Sequence, residues 1–265
     1  MLNYLWIAIW VLELPLSIVA MLPKEIYRGH DEFGTVLVLD DGNCRYLSFG
    51  ETDEQSCIIK QSPEVPQYAF IRAMLYPLLF LSPNRALSLG LGAGSLNGAL
   101  HSILPNVKQD IVEISPEVVE VAHKYFYLPR SKRINIEVSD AYEYLQGPAK
   151  RKFDLITADL YTSEGLNEIQ VEAVFIDAAL ARLTQKGWLV LNCWSDHREV
   201  EILDTLRERF DSIFSCTTGD GNWVLFATNG PVDVSSAQMK SRVKELSSRA
   251  GFAMNTIAKR VRQIV

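Results

Sequence analysis

A glycine-rich loop between a short apolar strand and a helix constrains this chain more than any other feature. The strand is predicted at 85–89, the loop reads Gly-Leu-Gly-Ala-Gly at 90–94, and the helix is predicted at 96–103. Glycine is needed where a chain turns tightly or a ligand approaches the backbone, because a Cβ would collide there. Ser95 stands where a dinucleotide-binding GxGxxG loop has its last glycine, which disfavours a nicotinamide cofactor.

Strands and helices alternate after this loop. Further strands are predicted at 110–114, 134–138, 153–158 and 187–192, with helices at 116–125, 169–183 and 200–210. Such alternation predicts right-handed βαβ crossovers and a parallel sheet, hence an α/β fold. Two last strands, at 212–217 and 222–228, are too close for a crossover helix and should form an antiparallel hairpin at the sheet edge.

The sequence before the glycine loop alternates as an antiparallel sheet does. Two strands flank Asp41-Gly42, a strong signal for a β-hairpin turn. A helix is predicted at 66–80, and Pro77 should kink it or end it. Four parts are expected: an apolar segment at 1–22, a small β-hairpin domain at 24–60, a Rossmann-like domain at 62–230 and a helical tail at 231–265.

The apolar segment at 1–22 leaves three interpretations open. Its length suits a membrane-associated helix, although a charged Glu13 would cost about 2.5 to 3.5 kcal/mol within a bilayer. A start at Met21, with the preceding residues not translated, ranks equal to that interpretation. A signal peptide ranks last because no Lys or Arg precedes the segment. Membrane contact is expected only here, and the protein is expected to be cytoplasmic.

Composition argues against nucleic acid as a partner. Lys and Arg total 26 against 32 for Asp and Glu, giving a net charge of −6. Binding through counterion release needs clustered Lys and Arg. The four cysteines and four histidines form no CxxC or HExxH spacing, so no metal site is predicted. The expected partner is a small molecule.

Three carboxylates lie at the ends of predicted parallel strands. They are Glu113, Asp140 and Asp159, and such strand ends share the edge where open α/β sheets bind ligands. Glu113 can accept both hydroxyls of a ribose. Asp140 can accept from an adenine amine, or cap the helix that begins at Ala141, and the two roles are compatible. A glycine loop with these acids indicates an adenosyl ligand such as S-adenosylmethionine.

The chain resembles the spermidine synthase (polyamine aminopropyltransferase) family over residues 25–230. The resemblance rests on the N-terminal hairpin, Asp53-Glu54, the GxGxG loop, Glu113, Asp140-Ala141 and the run FDLITAD that ends at Asp159. It implies a small antiparallel β domain before a Rossmann-like S-adenosylmethionine-dependent methyltransferase fold. It also implies a homodimer and a co-substrate that is S-adenosylmethionine or its decarboxylated form.

The resemblance assigns roles to individual residues. Those that hold the nucleoside would be Gly90, Gly92, Gly94, Glu113, Asp140 and Ala141. Asp159 would help to deprotonate the attacking amine. Tyr161 and Glu164 are expected to line the acceptor pocket, and Arg45 is expected to contact the substrate.

The chain also departs from that family. Ala93 replaces the Asp that holds the ammonium of the decarboxylated donor, the family's SSDP run reads Leu-Tyr-Thr-Ser at 160–163, and Arg45 replaces a hairpin Gln. An Arg about 4 Å from a substrate ammonium would cost about 4 kcal/mol at an effective dielectric of 20. The hypothesis is that the donor keeps its carboxylate or that the acceptor is not a polyamine. Aminopropyl transfer, methyl transfer and a non-catalytic nucleoside-binding protein remain open.

Overall fold

The computed structural model describes residues 23–50, 54–148, 151–162, 165–194 and 200–264. The predictions that concern the segment at 1–22, Asp53 and Glu164 lie outside these ranges.

The first part of the described chain is a four-stranded antiparallel sheet in the order β1-β2-β3-β4. Its strands are β1 (Lys24–Asp31), β2 (Gly34–Asp40), β3 (Cys44–Phe49) and β4 (Glu54–Ile59). The predicted hairpin is its centre, β2 with β3. Val38 and Leu47 bury their side chains against Val118 and Phe126, so one face of this sheet packs on the larger domain.

The larger sheet has eight strands in the order β14-β12-β13-β11-β8-β5-β6-β7. Its strands are β5 (Arg85–Leu89), β6 (Lys108–Glu113), β7 (Ile134–Val138), β8 (Phe153–Ala158), β11 (Leu183–Trp194), β12 (Ser212–Thr217), β13 (Asn222–Thr228) and β14 (Arg262–Gln263). Strands β7, β6, β5, β8 and β11 are parallel, and β12 and β13 form the predicted antiparallel hairpin. A separate two-stranded ribbon pairs β9 (Tyr161–Thr162) with β10 (Gly165–Leu166).

Eight α-helices are described along the chain. They are α1 (Ala69–Met74), α2 (Ser95–Ile103), α3 (Pro116–Tyr125), α4 (Ala141–Gln146), α5 (Ala173–Arg182), α6 (Val200–Arg207), α7 (Ser236–Ala250) and α8 (Met254–Arg260). The helix predicted at 66–80 is shorter than expected: α1 ends at Met74, and Pro77 lies in a 3-10 turn at Tyr76–Leu79. Proline has no N–H to continue an α-helix, which explains this break. No described helix has the length and apolarity needed to cross a membrane.

Helices cover both faces of the larger sheet. On one face Trp188 and Phe226 pack with residues of α7 and α8, of which Met254 is fully buried. On the other face Phe153 packs with Phe175 of α5. The strand order reverses between β5 and β8, which opens a crevice at their carboxyl ends.

Candidate active site

A cavity of about 880 Å³ lies at this crevice, between the small sheet and the carboxyl edge of the large one. Its described lining includes five carboxylates, Asp31, Glu113, Asp140, Asp159 and Asp220. No Lys, Arg or His is among the described residues that line it. The cavity therefore favours cationic ligands. Within the described chain, no three His, Cys, Asp or Glu side chains form a metal-binding group.

The three glycines of the loop are required for different structural reasons. Gly90 has φ +92°, and a Cβ there would lie 2.3 Å from the backbone oxygen of Asp159. Gly92 has φ +54°, lines the cavity, and a Cβ there would meet nothing within 4 Å. A Cβ on Gly94 would lie 2.9 Å from Leu128, and this glycine is not part of the lining. Gly90 and Gly92 both line the cavity and can face a ligand, and Gly90 and Gly94 also permit close packing of the protein.

Glu113 ends β6 and presents its carboxylate beside the glycine loop. One oxygen accepts a hydrogen bond from the backbone N–H of Leu91 at 2.9 Å, and the other accepts from that of Ser115 at 3.0 Å. Burial raises the pKa of Glu113, and these N–H donors oppose the rise. The backbone N–H groups of Ile114 and Gly92 also bond this carboxylate and lower its pKa, so ribose hydroxyls would have to share its oxygens with these donors.

Asp140 precedes α4 at the end of β7. Its Oδ1 accepts from the backbone N–H groups of Tyr142 at 2.8 Å and Glu143 at 2.9 Å, which is the helix-capping role considered from the sequence. Asp140 and Ala141 both line the cavity. Their position is compatible with contact to a ligand as well as with capping.

Asp159 follows β8 and lines the same cavity as Gly92, Glu113 and Asp140. Burial raises its pKa from 3.8 to about 6, and a hydrogen bond from Asn192 acts against the rise. The Asn192 Nδ2 donates to Asp159 Oδ1 over 2.8 Å. A carboxylate with a pKa near 6 can accept a proton at neutral pH and release it again.

Three amide side chains that the sequence did not indicate form a hydrogen-bonded group beside Asp159. Asn192 bonds Asp159 directly, and Asn222 and Gln170 bond Asn192. Asn222 Nδ2 donates to Asn192 Oδ1 at 3.1 Å. The fully buried Gln170 donates to the backbone oxygen of Asn192 at 2.8 Å and accepts from the backbone N–H of Leu160 at 3.2 Å. Asn192 lies at the carboxyl end of a parallel strand, so the reasoning applied to Asp159 could have found it. No such signal marks Gln170 or Asn222.

Tyr161 lines the cavity, as expected of an acceptor-pocket residue. Its hydroxyl donates to the backbone oxygen of Asn192 at 3.5 Å. Its ring lies 6.3 Å from that of Trp194, another residue of the lining. Burial raises the pKa of Tyr161, so its hydroxyl stays protonated at neutral pH.

The structure does not place Arg45 at the described lining of the cavity, where a contact with the substrate was expected. Its guanidinium forms an ion pair with Asp40 at 2.8 Å and donates to the backbone oxygen of Tyr125 at 2.7 Å, and Arg45 does not line the cavity. Asp40 lies directly opposite Arg45 in the β2–β3 hairpin, where opposite charges attract. The hypothesis that the donor keeps its carboxylate loses this support.

Two carboxylates of the cavity were not predicted from the sequence. Asp31 ends β1 and accepts from Ser115 Oγ and from the backbone N–H of Phe33. Asp220 lies in the turn between β12 and β13, at an exposed position. Both come from segments far from the glycine loop in sequence, and the fold brings them to the cavity. The site is therefore more acidic than the family departures alone suggested.

A family model described as "Spermine/spermidine synthase domain" matches residues 74–224 of the chain. The chain is 28% identical over 227 residues to a polyamine aminopropyltransferase of Neisseria meningitidis serogroup A, which covers 83% of this chain and 86% of that protein. It is also 27% identical over 194 residues to the eEF1A lysine and N-terminal methyltransferase of Mus musculus. That match covers 69% of this chain and 27% of the longer mouse protein.

Solved structures give the same two likenesses. A probable spermidine synthase from Corynebacterium glutamicum superposes with a TM-score of 0.68 at 18% identity, over 90% of this chain and 93% of that one. Human methyltransferase-like protein 13, solved in complex with SAH, superposes with a TM-score of 0.57 at 25% identity. It covers 69% of this chain, and 90% of that chain is matched. The Rossmann-like methyltransferase fold expected from the sequence is confirmed.

Proposed function

Because the chain belongs to the spermine/spermidine synthase family, we propose that it transfers an alkyl group from an adenosyl sulfonium donor to the nitrogen of a cationic amine. Its relatives include aminopropyltransferases and methyltransferases, which supports a transferase and does not favour a non-catalytic nucleoside-binding protein. The proposal includes a homodimer, which the resemblance implies, and a cytoplasmic location.

One observation carries this proposal: Asp159, with its pKa near 6, stands in a cavity whose described lining has five carboxylates and no basic side chain. A sulfonium is a fixed cation, and an aliphatic amine is cationic at neutral pH. Both are attracted by carboxylates in a site of low dielectric, where such attraction is stronger than in water. Anionic substrates would be repelled there.

The expected roles of the residues follow from their positions. Glu113 would hold the ribose, Asp140 and Ala141 the adenine side, and Gly92 would let the ligand approach the backbone. Asp159 would take the proton from the amine. The freed lone pair then forms the new C–N bond while the C–S bond breaks, and the electron pair of that bond stays on sulfur as a neutral thioether. Moving a proton from an amine of pKa near 10 to Asp159 costs about 5 kcal/mol, and a neighbouring sulfonium lowers that cost.

Electrostatics favour the decarboxylated donor. A donor carboxylate about 4 Å from one of the cavity acids would cost about 4 kcal/mol at an effective dielectric of 20. With Arg45 outside the lining, no described cation offsets this repulsion. Aminopropyl transfer is therefore the preferred form of the proposal.

Methyl transfer from ordinary S-adenosylmethionine is the second candidate, favoured by Ala93. Its side chain is 2% exposed and packs with Val36, Leu47 and Val118, where an aminopropyltransferase has its ammonium-binding Asp. This site offers no carboxylate at that position for the amine of a decarboxylated donor.

Product analysis tests both forms. The full-length protein would be incubated with either donor and with an aliphatic diamine or a lysine-containing peptide, and thioether products would be identified by mass spectrometry. Methylthioadenosine marks aminopropyl transfer, and S-adenosylhomocysteine marks methyl transfer. We expect methylthioadenosine with the diamine, and a roughly 10²- to 10⁴-fold loss of rate in Asp159→Asn, because the base is removed.

The matched control is Asp177→Asn, an exposed acid on α5 that pairs with Arg209 and does not line the cavity. It should keep the full rate. Thioether release that is equal in the wild type and in Asp159→Asn would overturn the assignment of the base. No thioether with any donor and acceptor would overturn the proposed activity.

A further inference from the structure

Two side-chain amides connect Asp159 to the hairpin at the far edge of the sheet. Asn222 Nδ2 lies 3.1 Å from Asn192 Oδ1, and Asn192 Nδ2 lies 2.8 Å from Asp159 Oδ1. The three residues come from three adjacent strands, since β8, β11 and β13 are neighbours in the sheet. Asn192 is 1% exposed, so water cannot replace these partners freely.

We infer that Asn222 is a positioning residue for Asp159, which acts by fixing the orientation of the Asn192 amide. A side-chain amide has a donor end and an acceptor end. With its donor group on Asn192 Oδ1, Asn222 keeps the nitrogen of Asn192 turned toward the carboxylate. A reversed amide would set oxygen against oxygen at Asp159 and nitrogen against nitrogen at Asn222.

The orientation matters because it selects one protonation state of Asp159. An ionised carboxylate only accepts hydrogen bonds, so it needs the nitrogen of Asn192. A protonated Asp159 can donate, and it could pair with the reversed amide. By disfavouring that reversal, Asn222 stabilises the ionised form, which is the form that accepts a proton.

The backbone on both sides of this contact is already fixed. Gln170 bonds the backbone oxygen of Asn192 and the backbone N–H of Leu160, which joins the ends of β11 and β8. The backbone N–H of Asp159 donates to the oxygen of Leu89 at 2.9 Å. The rotation of the Asn192 amide is the freedom that remains, and Asn222 restricts it.

Other groups near Asp159 also influence its ionisation. Tyr161 and Cys193 stay protonated at neutral pH, because burial raises the pKa of the tyrosine and raises that of the Cys193 thiol to about 12. The remaining charged groups of the described lining are the carboxylates Asp31, Glu113, Asp140 and Asp220. Burial raises the pKa of Asp159, whereas the hydrogen bond from Asn192 lowers it.

The inference rests on the proposed function only where it treats Asp159 as a base. A measurement that needs no turnover can therefore test it. Full-length protein labelled with carbon-13 aspartate would be titrated by NMR, with the Asp159 carboxyl signal assigned by its loss in Asp159→Asn. Asn222→Leu keeps the approximate shape of the side chain and removes the donor. We expect the Asp159 titration to move upward by about 0.5 to 1 pH unit, as one charge-assisted hydrogen bond weakens.

Asn229→Leu is the matched control, because Asn229 follows the other end of β13 and bonds the backbone of Arg209 and Asp211. Asn229→Leu should leave the Asp159 titration unchanged. Asn222→Gln keeps an amide donor, so its Asp159 titration should lie between those of Asn222→Leu and the wild type. If Asn222→Leu does not fold, Asn222→Ala removes the same donor with less added apolar surface.

A second readout is the acid limb of kcat/KM against pH, which should move by the same amount as the NMR titration. An Asp159 titration that is the same in Asn222→Leu and in Asn229→Leu would overturn the inference. If no donor yields product, the proposed function fails, and the NMR titration still decides the role of Asn222.

Discussion

Three carboxylates at one sheet edge differ in their surroundings, although all three lie at the carboxyl ends of parallel strands. Glu113 is held by two backbone N–H groups, Asp140 by the first turn of α4, and Asp159 by the Asn192 amide. Backbone donors are rigid, and they suit residues that hold a ligand in place. The Asn192 amide, with its nitrogen directed at Asp159, stabilises the ionised form of the residue that would accept the proton.

The first prediction concerns Glu113. Replacing it with alanine removes a charged acceptor from the cavity and leaves the backbone N–H groups of Leu91 and Ser115 without their partner. We expect donor affinity, measured by calorimetry, to fall more than tenfold. Glu137→Ala, an exposed acid on the neighbouring strand β7, is the control and should bind normally. Unchanged affinity in Glu113→Ala would remove the ribose role.

The second prediction concerns the loss of folding stability caused by burial of the Asp159 carboxylate. Its pKa is about 6 in the folded state and 3.8 ordinarily, so the folded state binds more protons between these values. The raised pKa of Asp159 therefore lowers the free energy of unfolding as pH rises. The loss reaches about 3 kcal/mol at pH values above 6. Asp159→Asn should be more stable than the wild type at pH 8, with a smaller difference at pH 5. Urea unfolding at both pH values measures this, and an equal difference at both would contradict it.

At the scale of elements, the glycine loop and the end of β8 are packed together. The backbone oxygen of Asp159 occupies the space that a side chain on Gly90 would need. The loop therefore fixes the position of Asp159 as well as leaving room for a ligand.

Gly90→Ala tests this packing, and Gly42→Ala in the β2–β3 turn provides a close comparison. The two glycines have nearly equal φ values, +92° and +96°, but a Cβ on Gly42 would meet nothing within 4 Å. Both variants carry backbone strain of about 1 to 2 kcal/mol, and Gly90→Ala adds the collision with Asp159. Urea unfolding should show a clearly larger loss of stability for Gly90→Ala. Equal losses would mean that the loop shifts without strain.

Elements with local causes were predicted from the sequence, whereas contacts between residues distant in sequence were not. The strands Ile134–Val138 and Phe153–Ala158 match their predicted ranges, because short apolar runs between helices define them. Ser115 is of a residue type that commonly caps helices, and it caps α3 by accepting from the N–H of Val118. The Asn192–Asn222 contact spans 30 residues and exists only because β11 and β13 are neighbours. No local pattern contains that information.

Arg45 is a residue whose local contact was overlooked in favour of a role taken from the family. The comparison with the family placed it near the substrate, whereas cross-strand pairing placed it opposite Asp40. Lys60 also bonds this aspartate at 2.8 Å, and together they lower the pKa of Asp40 to about 2. A careful register for the hairpin would have predicted the ion pair from the sequence.

At the scale of the whole molecule, the C-terminal helices complete the core on one face of the large sheet. Leu246, Met254 and Ile257 are buried among residues of the sheet and of the first helices. The tail is therefore part of the domain in packing, and Arg242 also donates to the backbone oxygen of Leu79 at 2.9 Å.

Met254→Ala should lower the free energy of unfolding by about 2 to 5 kcal/mol, since Met254 is fully buried and its removal leaves a cavity. Donor affinity should be unchanged at temperatures where the variant is folded, because Met254 does not line the cavity. Lys259→Ala, an exposed residue on the same helix, is the control for both measurements. A loss of affinity in folded Met254→Ala would show that the tail shapes the site.

The turn that joins β12 and β13 carries Asp220 at the cavity and Asn222 in contact with the amide of Asn192. Asn222 is thus two hydrogen bonds from Asp159, the group that would activate the acceptor. Molecules that displace the turn would be poorly activated even when they bind well, so selection among amines would act on turnover as well as on occupancy. Exchanging these few residues between relatives is then a direct way to redirect such an enzyme toward a new amine.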